Sequence, residues 1–240
     1  MRVLIIGGSG NVGSLVLPHL AERHEVCVFD RKPPALEVPY LRGDVTDFAA
    51  LSSALAGRDA LLFMAMGPAD RWEDPNVAGQ HFEVSPKGLY LALTAAREAG
   101  VRHAVYTSSM SVYAPPEQRP EGRYPDETVP PDATDFYGLA KRFGEDVCAA
   151  ATQDGGLSVV ALRLCHPTAD ESWPPPGPGI GAAIATSATD TARALLAALD
   201  YQGHGFEAFT ISGDSAGRFT TMDKARDRLG WAPTDQHRIR

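Results

Sequence analysis

The chain opens on a short apolar run, VLII, that breaks into the triad Gly7, Gly10 and Gly13 ahead of a helically spaced stretch, NVGSLVLPHLAERH. The spacing is G-x-x-G-x-x-G rather than G-x-G-x-x-G, with similar physical demands. A tight turn needs a residue free to take positive φ. The backbone must approach a pyrophosphate closely, and the helix must pack against the strand before it. That helix, starting near Asn11 and Val12, turns the partial positive charge of its N-terminus toward the phosphates. Placed between a first strand and a first helix, the triad points to a dinucleotide-binding turn.

The alternation continues. EVCVFD reads as a second strand, LRGD as a short third, and DFAALSSALAG as a helix. DALLFMAM is a fourth strand, followed by a long helical stretch from Gly79 to Gly100. HAVYTSS is a fifth strand, residues 135–152 a helix, and SVVALRL a sixth strand. TDTARALLAAL, AFTIS and MDKARDRLG read as helix, strand and helix. Parallel strands need crossover helices, so the fold class is α/β, a doubly wound parallel sheet. Unbroken apolar runs fit strands covered on both faces. At 240 residues one domain is expected, with 1–160 binding the dinucleotide and 161–240 forming a small, interwoven substrate-binding part. Three long segments, around 67–78, 114–134 and 166–182, follow strand carboxyl ends, where open α/β sheets bind ligands.

A net charge of −8 argues against nucleic acid or an anionic membrane as partner. No apolar run approaches the ~18 residues of a membrane span, and no signal peptide is read at the N-terminus. Cys27, Cys148 and Cys165 show neither zinc nor redox spacing, which fits a reduced, cytoplasmic protein. The tail DQHRIR is expected to fray.

Asp30 ends the second strand, near the ~20-residue offset of a ribose-binding carboxylate. There it accepts from the ribose hydroxyls and repels a 2′-phosphate, favouring NAD over NADP; Arg31 and Lys32 soften that preference. Asp44 is placed near the adenine, while Asp47 is the better cap for the following helix. Val45, the run Met64, Ala65 and Met66 after the fourth strand, and Cys165 after the sixth complete the expected cofactor contacts.

FYGLAK carries Tyr137 and Lys141 as Tyr-x-x-x-Lys, which puts both on one helical face. With 7 tyrosines and four lysines, chance supplies such a pair about 0.1 times in this chain. A phenol of pKa about 10 is a poor base at neutral pH. A nearby ammonium is expected to lower that value, so that Tyr137 accepts a proton from a substrate hydroxyl while Lys141 also holds the nicotinamide ribose. Ser109, ending the fifth strand, is placed to bond the reacting oxygen; Thr107, Ser108 and Ser111 are its neighbours and competitors.

With GGSGNVG, Asp30, GDVTD, TSSMSVY, YGLAK and a late LGWAP, the chain resembles the extended short-chain dehydrogenase/reductases of the NAD-dependent epimerase/dehydratase family. The resemblance implies a Rossmann-like fold, NAD as cofactor, Ser109, Tyr137 and Lys141 as catalytic trio, and a homodimer formed through helices 79–99 and 136–152. The layout is similar to that of uronate dehydrogenases. Three positions depart from the pattern: Ser85 stands where the family has an asparagine, Met110 where an asparagine helps bind the uronate, and no arginine in HPTADESWPPPGPG matches the carboxylate grip. Pro86 can supply the helix bend associated with that first asparagine. Met110, Ser111, His166, Arg71 and Trp72 are candidate substrate contacts, with Trp173 also facing the expected pocket. Arg71, Arg119 and Arg123 are the arginines available to meet a carboxylate. The function these features imply is oxidation of a hydroxyl, or reduction of a carbonyl, on a small sugar, sugar acid or polyol-like substrate. The alternatives are an epimerase or dehydratase holding NAD tightly, and a non-catalytic dinucleotide sensor.

Overall fold

The computed structural model describes residues 1–68 and 74–235. Arg71 and Trp72 lie outside them. The first half runs β1 (Arg2–Ile6), α1 (Asn11–Ala21), β2 (Glu25–Asp30), β3 (Tyr40–Arg42), α2 (Phe48–Leu55), β4 (Ala60–Phe63), α3 (Pro75–Phe82) and α4 (Leu89–Glu98). β5 (His103–Ser109), α5 (Phe136–Ala151), β6 (Ser158–Leu164), β7 (Pro167–Thr168), α6 (Ile180–Ile184), β8 (Thr186–Ser187), α7 (Ala188–Asp200) and β9 (Phe206–Ile211) follow. Seven strands form one parallel sheet in the order β3-β2-β1-β4-β5-β6-β9. This is the doubly wound, Rossmann-like α/β fold expected from the sequence.

The period of two along a strand decides which side chains feed which layer. From β1, Val3 and Ile5 join Val16, Leu17 and Leu20 of α1 and Leu195 and Leu199 of α7. Leu4 and Ile6 join Leu51 and Leu55 of α2 and Leu89 and Leu93 of α4 on the other face. All four β1 residues are fully buried. Strand order reverses between β1 and β4, and the carboxyl ends on either side of that switch point splay to leave a crevice.

The stretch expected as one helix from 79 to 100 is α3 and α4 joined by a π-helical turn, Glu83–Gly88, with Pro86 inside it. Proline has no N–H to donate, so the ladder reroutes there. Asp47 caps α2, accepting from the Ala50 amide at 3.0 Å. Two features carried no legible sequence signal. β7 and β8 pair as a parallel ribbon of two residues each. The expected final helix contains a short π turn, Ala225–Leu229, which stops at Gly230 in the left-handed region. Beyond it Trp231 is buried, and its indole donates to the Asp190 carbonyl at 3.1 Å.

α5 lies hard against β5. A Cβ on Gly144 would come within 2.3 Å of the hydroxyl of fully buried Tyr106. Gly144→Ala is therefore expected to destabilise the protein by about 1–3 kcal/mol, the usual cost of overpacking. Urea unfolding measures it, and an unchanged midpoint would mean that the helix can shift freely.

Candidate functional site

β1 ends at Ile6, and Gly7 turns the chain at φ 85°. A Cβ there would sit 2.4 Å from the Ala65 backbone nitrogen, so the turn is open only to glycine. A Cβ on Gly13 would sit 2.5 Å from the Gly8 carbonyl oxygen, which holds α1 close over the strand. Gly10 begins α1 without a side-chain cap, so the first-turn N–H groups face the crevice with the helix's partial positive charge.

The cleft at the switch point is lined by most of the expected cofactor residues. Gly7, Gly10, Asn11, Val12 and Gly13 form its floor, Asp30, Arg31 and Lys32 its rim at β2, Asp44 and Val45 one wall, and Met64, Ala65 and Met66 the other. Phe29, Gly43, Gly67 and Val84 also line it and were not singled out from the sequence. The Asp30 carboxylate accepts from the backbone amides of Ser9 at 3.1 Å and Lys32 at 3.3 Å. The Asp44 carboxyl is held below its ordinary pKa chiefly by the Thr46 amide. A glycine floor, an uncapped helix start and a carboxylate at the β2 end suit a pyrophosphate and a ribose diol. NAD fits this donor set.

Tyr137, Lys141 and Cys165 lie outside that lining, further along the carboxyl edge. Asp135 caps α5 through the amides of Tyr137 and Gly138, fixing where the helix begins. Burial pushes the Tyr137 phenol up; a side-chain hydrogen bond with Ser109 pulls it back, and Asp135 raises it further. Ser109 also accepts from the Ser111 amide at 3.1 Å. The structure thus brings Ser109 to Tyr137, with Lys141 one turn along the same helix.

The expected lowering of the Tyr137 pKa by Lys141 does not appear in this arrangement. The Lys141 ammonium donates to the Thr107 carbonyl at 2.7 Å and lies 5.9 Å from the centre of the Tyr137 ring. Burial brings Lys141 itself down to about 8, with Glu145 and Cys148 opposing the shift. Desolvation is the largest effect at both residues; at Lys141 it outweighs the opposing Glu145 and Cys148, and at Tyr137 Asp135 adds to it.

One neighbour was missed. His81 of α3 is buried, stands edge-on to Tyr137 at 5.8 Å between ring centres, and donates from Nε2 to the Pro68 carbonyl at 2.9 Å. Burial lowers its pKa. A Cβ on Gly67 would meet the His81 ring at 2.8 Å, so this imidazole joins the cleft wall to Tyr137. Nothing in the local sequence marks it, because the contact joins segments far apart in the chain.

The substrate candidates scatter. Met110 is 3% exposed, in a small cluster with Val112, Tyr113, Cys165 and Ile184 backed by Tyr124, Ile180 and Phe219. Ser111 is half-buried; His166 is exposed, in the left-handed region at φ 41°, with Gly181 beside its ring. Cys165 is buried, its thiol pushed up to about 12 by burial despite a bond with Ser212. The Trp173 indole donates to the Ala185 carbonyl at 3.1 Å. Arg119 is committed to Asp132 at 2.6 Å and to the Ala114 carbonyl at 3.1 Å. Arg123 acts on Asp126 and Asp223.

A model of the NAD dependent epimerase/dehydratase family matches residues 3–175. An N-acetyl-alpha-D-glucosaminyl-diphospho-ditrans,octacis-undecaprenol 4-epimerase of Escherichia coli O157:H7 is 31% identical over 148 residues, 61% of this chain and 42% of that protein. A 3-beta-hydroxysteroid dehydrogenase of Mycolicibacterium neoaurum is 32% identical over 174 residues, 68% of this chain and 46% of that protein. The chain thus spans less than half the length of these relatives. A short-chain dehydrogenase/reductase superfamily protein from Agrobacterium tumefaciens, solved with bound NAD, superposes with a TM-score of 0.83 at 22% identity, covering 98% of this chain and 93% of that one. That likeness shows a common fold.

NAD is expected to bind at least ten times more tightly than NADP, a difference of about 1.4 kcal/mol, because a 2′-phosphate would face the Asp30 carboxylate. Calorimetric titration of both measures it. Equal affinities would mean that Arg31 and Lys32, which share the rim, dominate.

Proposed function

Since the chain belongs to the NAD-dependent epimerase/dehydratase family, we propose that it is an NAD-dependent oxidoreductase acting on a hydroxyl or carbonyl of a small sugar, sugar acid or polyol-like substrate. The observation that carries this reading is the placement of Tyr137 and Lys141 one turn apart at the start of α5, with Lys141 tied to the β5 end that bears Ser109 and the glycine-floored cleft alongside. When bound, NAD supplies the hydride acceptor. Burial keeps the Tyr137 phenol protonated, so in the reducing direction it gives its proton to the substrate carbonyl oxygen, and in the oxidising direction the phenolate, formed at high pH, takes the hydroxyl proton back; Ser109 holds the same oxygen by a hydrogen bond. Lys141 lies 5.9 Å from the Tyr137 ring centre and holds the Thr107 carbonyl, which fixes the strand end bearing Ser109. The cluster around Met110 and Ile184 fills space beyond β5 and β6, which favours a compact substrate.

The epimerase relative supports a second reading, in which hydride leaves and returns within one turnover. Incubating the protein with NAD and a panel of sugar acids, sugars and alcohols, read as NADH absorbance, separates the two. Net NADH release supports the dehydrogenase. Conversion of a sugar without it supports the epimerase.

Tyr137→Phe is expected to lower turnover at least ~100-fold while cofactor affinity barely changes; Lys141→Met should damage both. Near-normal turnover in Tyr137→Phe would refute the mechanism. The pH profile gives an independent check. Lys141 sits at about 8, below its ordinary value, so its ammonium is intact beneath that pH and is lost above it. For carbonyl reduction, kcat/KM is therefore expected to fall as pH rises through about 8, and Lys141→Met should abolish that limb. Tyr137, raised by burial, titrates higher.

The assembly that fits is a homodimer through α4 and α5. Tyr90 and Phe143 on these helices are 59% and 45% exposed, and Phe143 lies 6.1 Å from Phe82 between ring centres. Light scattering should report a dimer that Tyr90→Lys with Phe143→Glu converts to monomer; a wild-type monomer would refute it. The net charge of −8 disfavours nucleic acid as partner, and three free, buried cysteines suit a cytoplasmic setting. No helix among the described residues is long and apolar enough to cross a membrane.

A further inference from the structure

The buried charges left out of that mechanism form one continuous chain of bonds. Glu145 follows Lys141 by one turn of α5, Arg163 comes from β6, and their side chains are 5% and 4% exposed. Arg163 grips both carboxylate oxygens, Nε to Oε1 at 3.0 Å and Nη2 to Oε2 at 2.7 Å. Ser108 donates to Oε1 at 2.6 Å. The other guanidinium nitrogen, Nη1, donates to the Tyr113 hydroxyl at 2.5 Å. That hydroxyl has one proton, shared between the carbonyls of Asp126 and Val129, each 2.8 Å away.

The two ends of this chain matter. At one end, two successive residues of β5 are fixed from α5: Lys141 holds the Thr107 carbonyl and Glu145 holds the Ser108 hydroxyl, and the next residue is Ser109, which lies near enough to Tyr137 to pull its burial-raised phenol pKa back. At the other end, Tyr113 pins the 114–134 segment, which also returns the amides of Asp132 and Ala133 to the Val112 carbonyl. Stability alone is a poor reason for such a chain, since a buried ion pair is often replaceable by apolar side chains at no loss. A polar chain with every partner in place does fix one arrangement.

We propose that Glu145, Arg163 and Tyr113 are positioning residues that couple the seating of the 114–134 segment to the alignment of Ser109 with Tyr137. The proposal rests on the catalytic reading of Ser109 and Tyr137 above. It makes the segment over the carboxyl edge and the reacting strand end move as one unit.

Hydrogen exchange on the full chain, with and without NAD, tests the coupling. Tyr113→Phe keeps the ring and removes the hydroxyl. It is expected to speed exchange at least about tenfold in both 126–133 and 109–111, leaving β1 unchanged. Faster exchange in 126–133 alone would overturn the proposal. Glu145→Gln with Arg163→Met removes both charges and should keep the melting temperature near that of wild type. In this variant exchange at both ends should still be fast, as in Tyr113→Phe, and kcat on the alcohol returned by the NADH screen should be at least about tenfold below wild type, with NAD affinity unchanged. Wild-type exchange and kcat together with wild-type stability would mean a purely structural pair and would overturn the proposal. If wild type oxidises nothing in the screen, the functional reading fails while the exchange arm still decides the coupling.

Discussion

A parallel sheet covered on both faces has only one edge at which its carboxyl ends and its crossover loops meet. Here that constraint arises from β1, whose four buried residues divide between two helical layers and leave no face for a ligand. Polar chemistry is thereby confined to the strand ends. The reversal of strand order between β1 and β4 opens the crevice there, and the glycines that admit a close backbone approach fall at the same place. Everything reactive in the chain is placed by that geometry.

Along the same edge, α5 carries an unusual density of polar groups into the interior. Tyr137, Lys141 and Glu145 are spaced one turn apart on one face, and Gly138 and Gly144 bring that face close to the neighbouring backbone and to Tyr106. Close approach removes water, and the direction of each shift follows: the Lys141 pKa down, the Tyr137 pKa up. Glu145 does not restore Lys141 to its ordinary value because its own carboxylate is spent on Arg163 and Ser108. The reactivity of the pair is therefore set by burial first and by charge second.

What could be read from the sequence was what depends on local spacing. The glycine triad, Asp30 at a strand end, the Asp47 cap and the four-residue step from Tyr137 to Lys141 are properties of short segments, and the structure places them as expected. The cleft lining at Val45 and Met64–Met66 followed from strand ends alone. The electrostatic relation between Lys141 and Tyr137 was misjudged because spacing along a helix does not reveal depth, and depth decides the sign. His81 against Tyr137, and Arg163 against Glu145, join segments far apart in the chain. The β7–β8 ribbon is two residues long, too short for any periodicity to show.

The departure at Ser85 separates two roles that one asparagine would combine. A bend is present with serine at this position: Pro86 lies inside the π turn, and its missing N–H leaves a gap in the helical ladder there. The polar contact is altered. Ser85 is 1% exposed and draws the Tyr106 phenol downward against a larger rise from burial, yet among the described residues neither hydroxyl has a well-formed hydrogen bond. Leaving a buried hydroxyl unpaired costs about 1–3 kcal/mol. The ammonium of Lys141 sits 5.1 Å from the Tyr106 ring centre. Two under-bonded hydroxyls, one from the π turn and one from β5, thus stand together in the interior, with the Tyr106 ring beside Lys141, so the surroundings of Lys141 are built from β5 as well as from α5 itself.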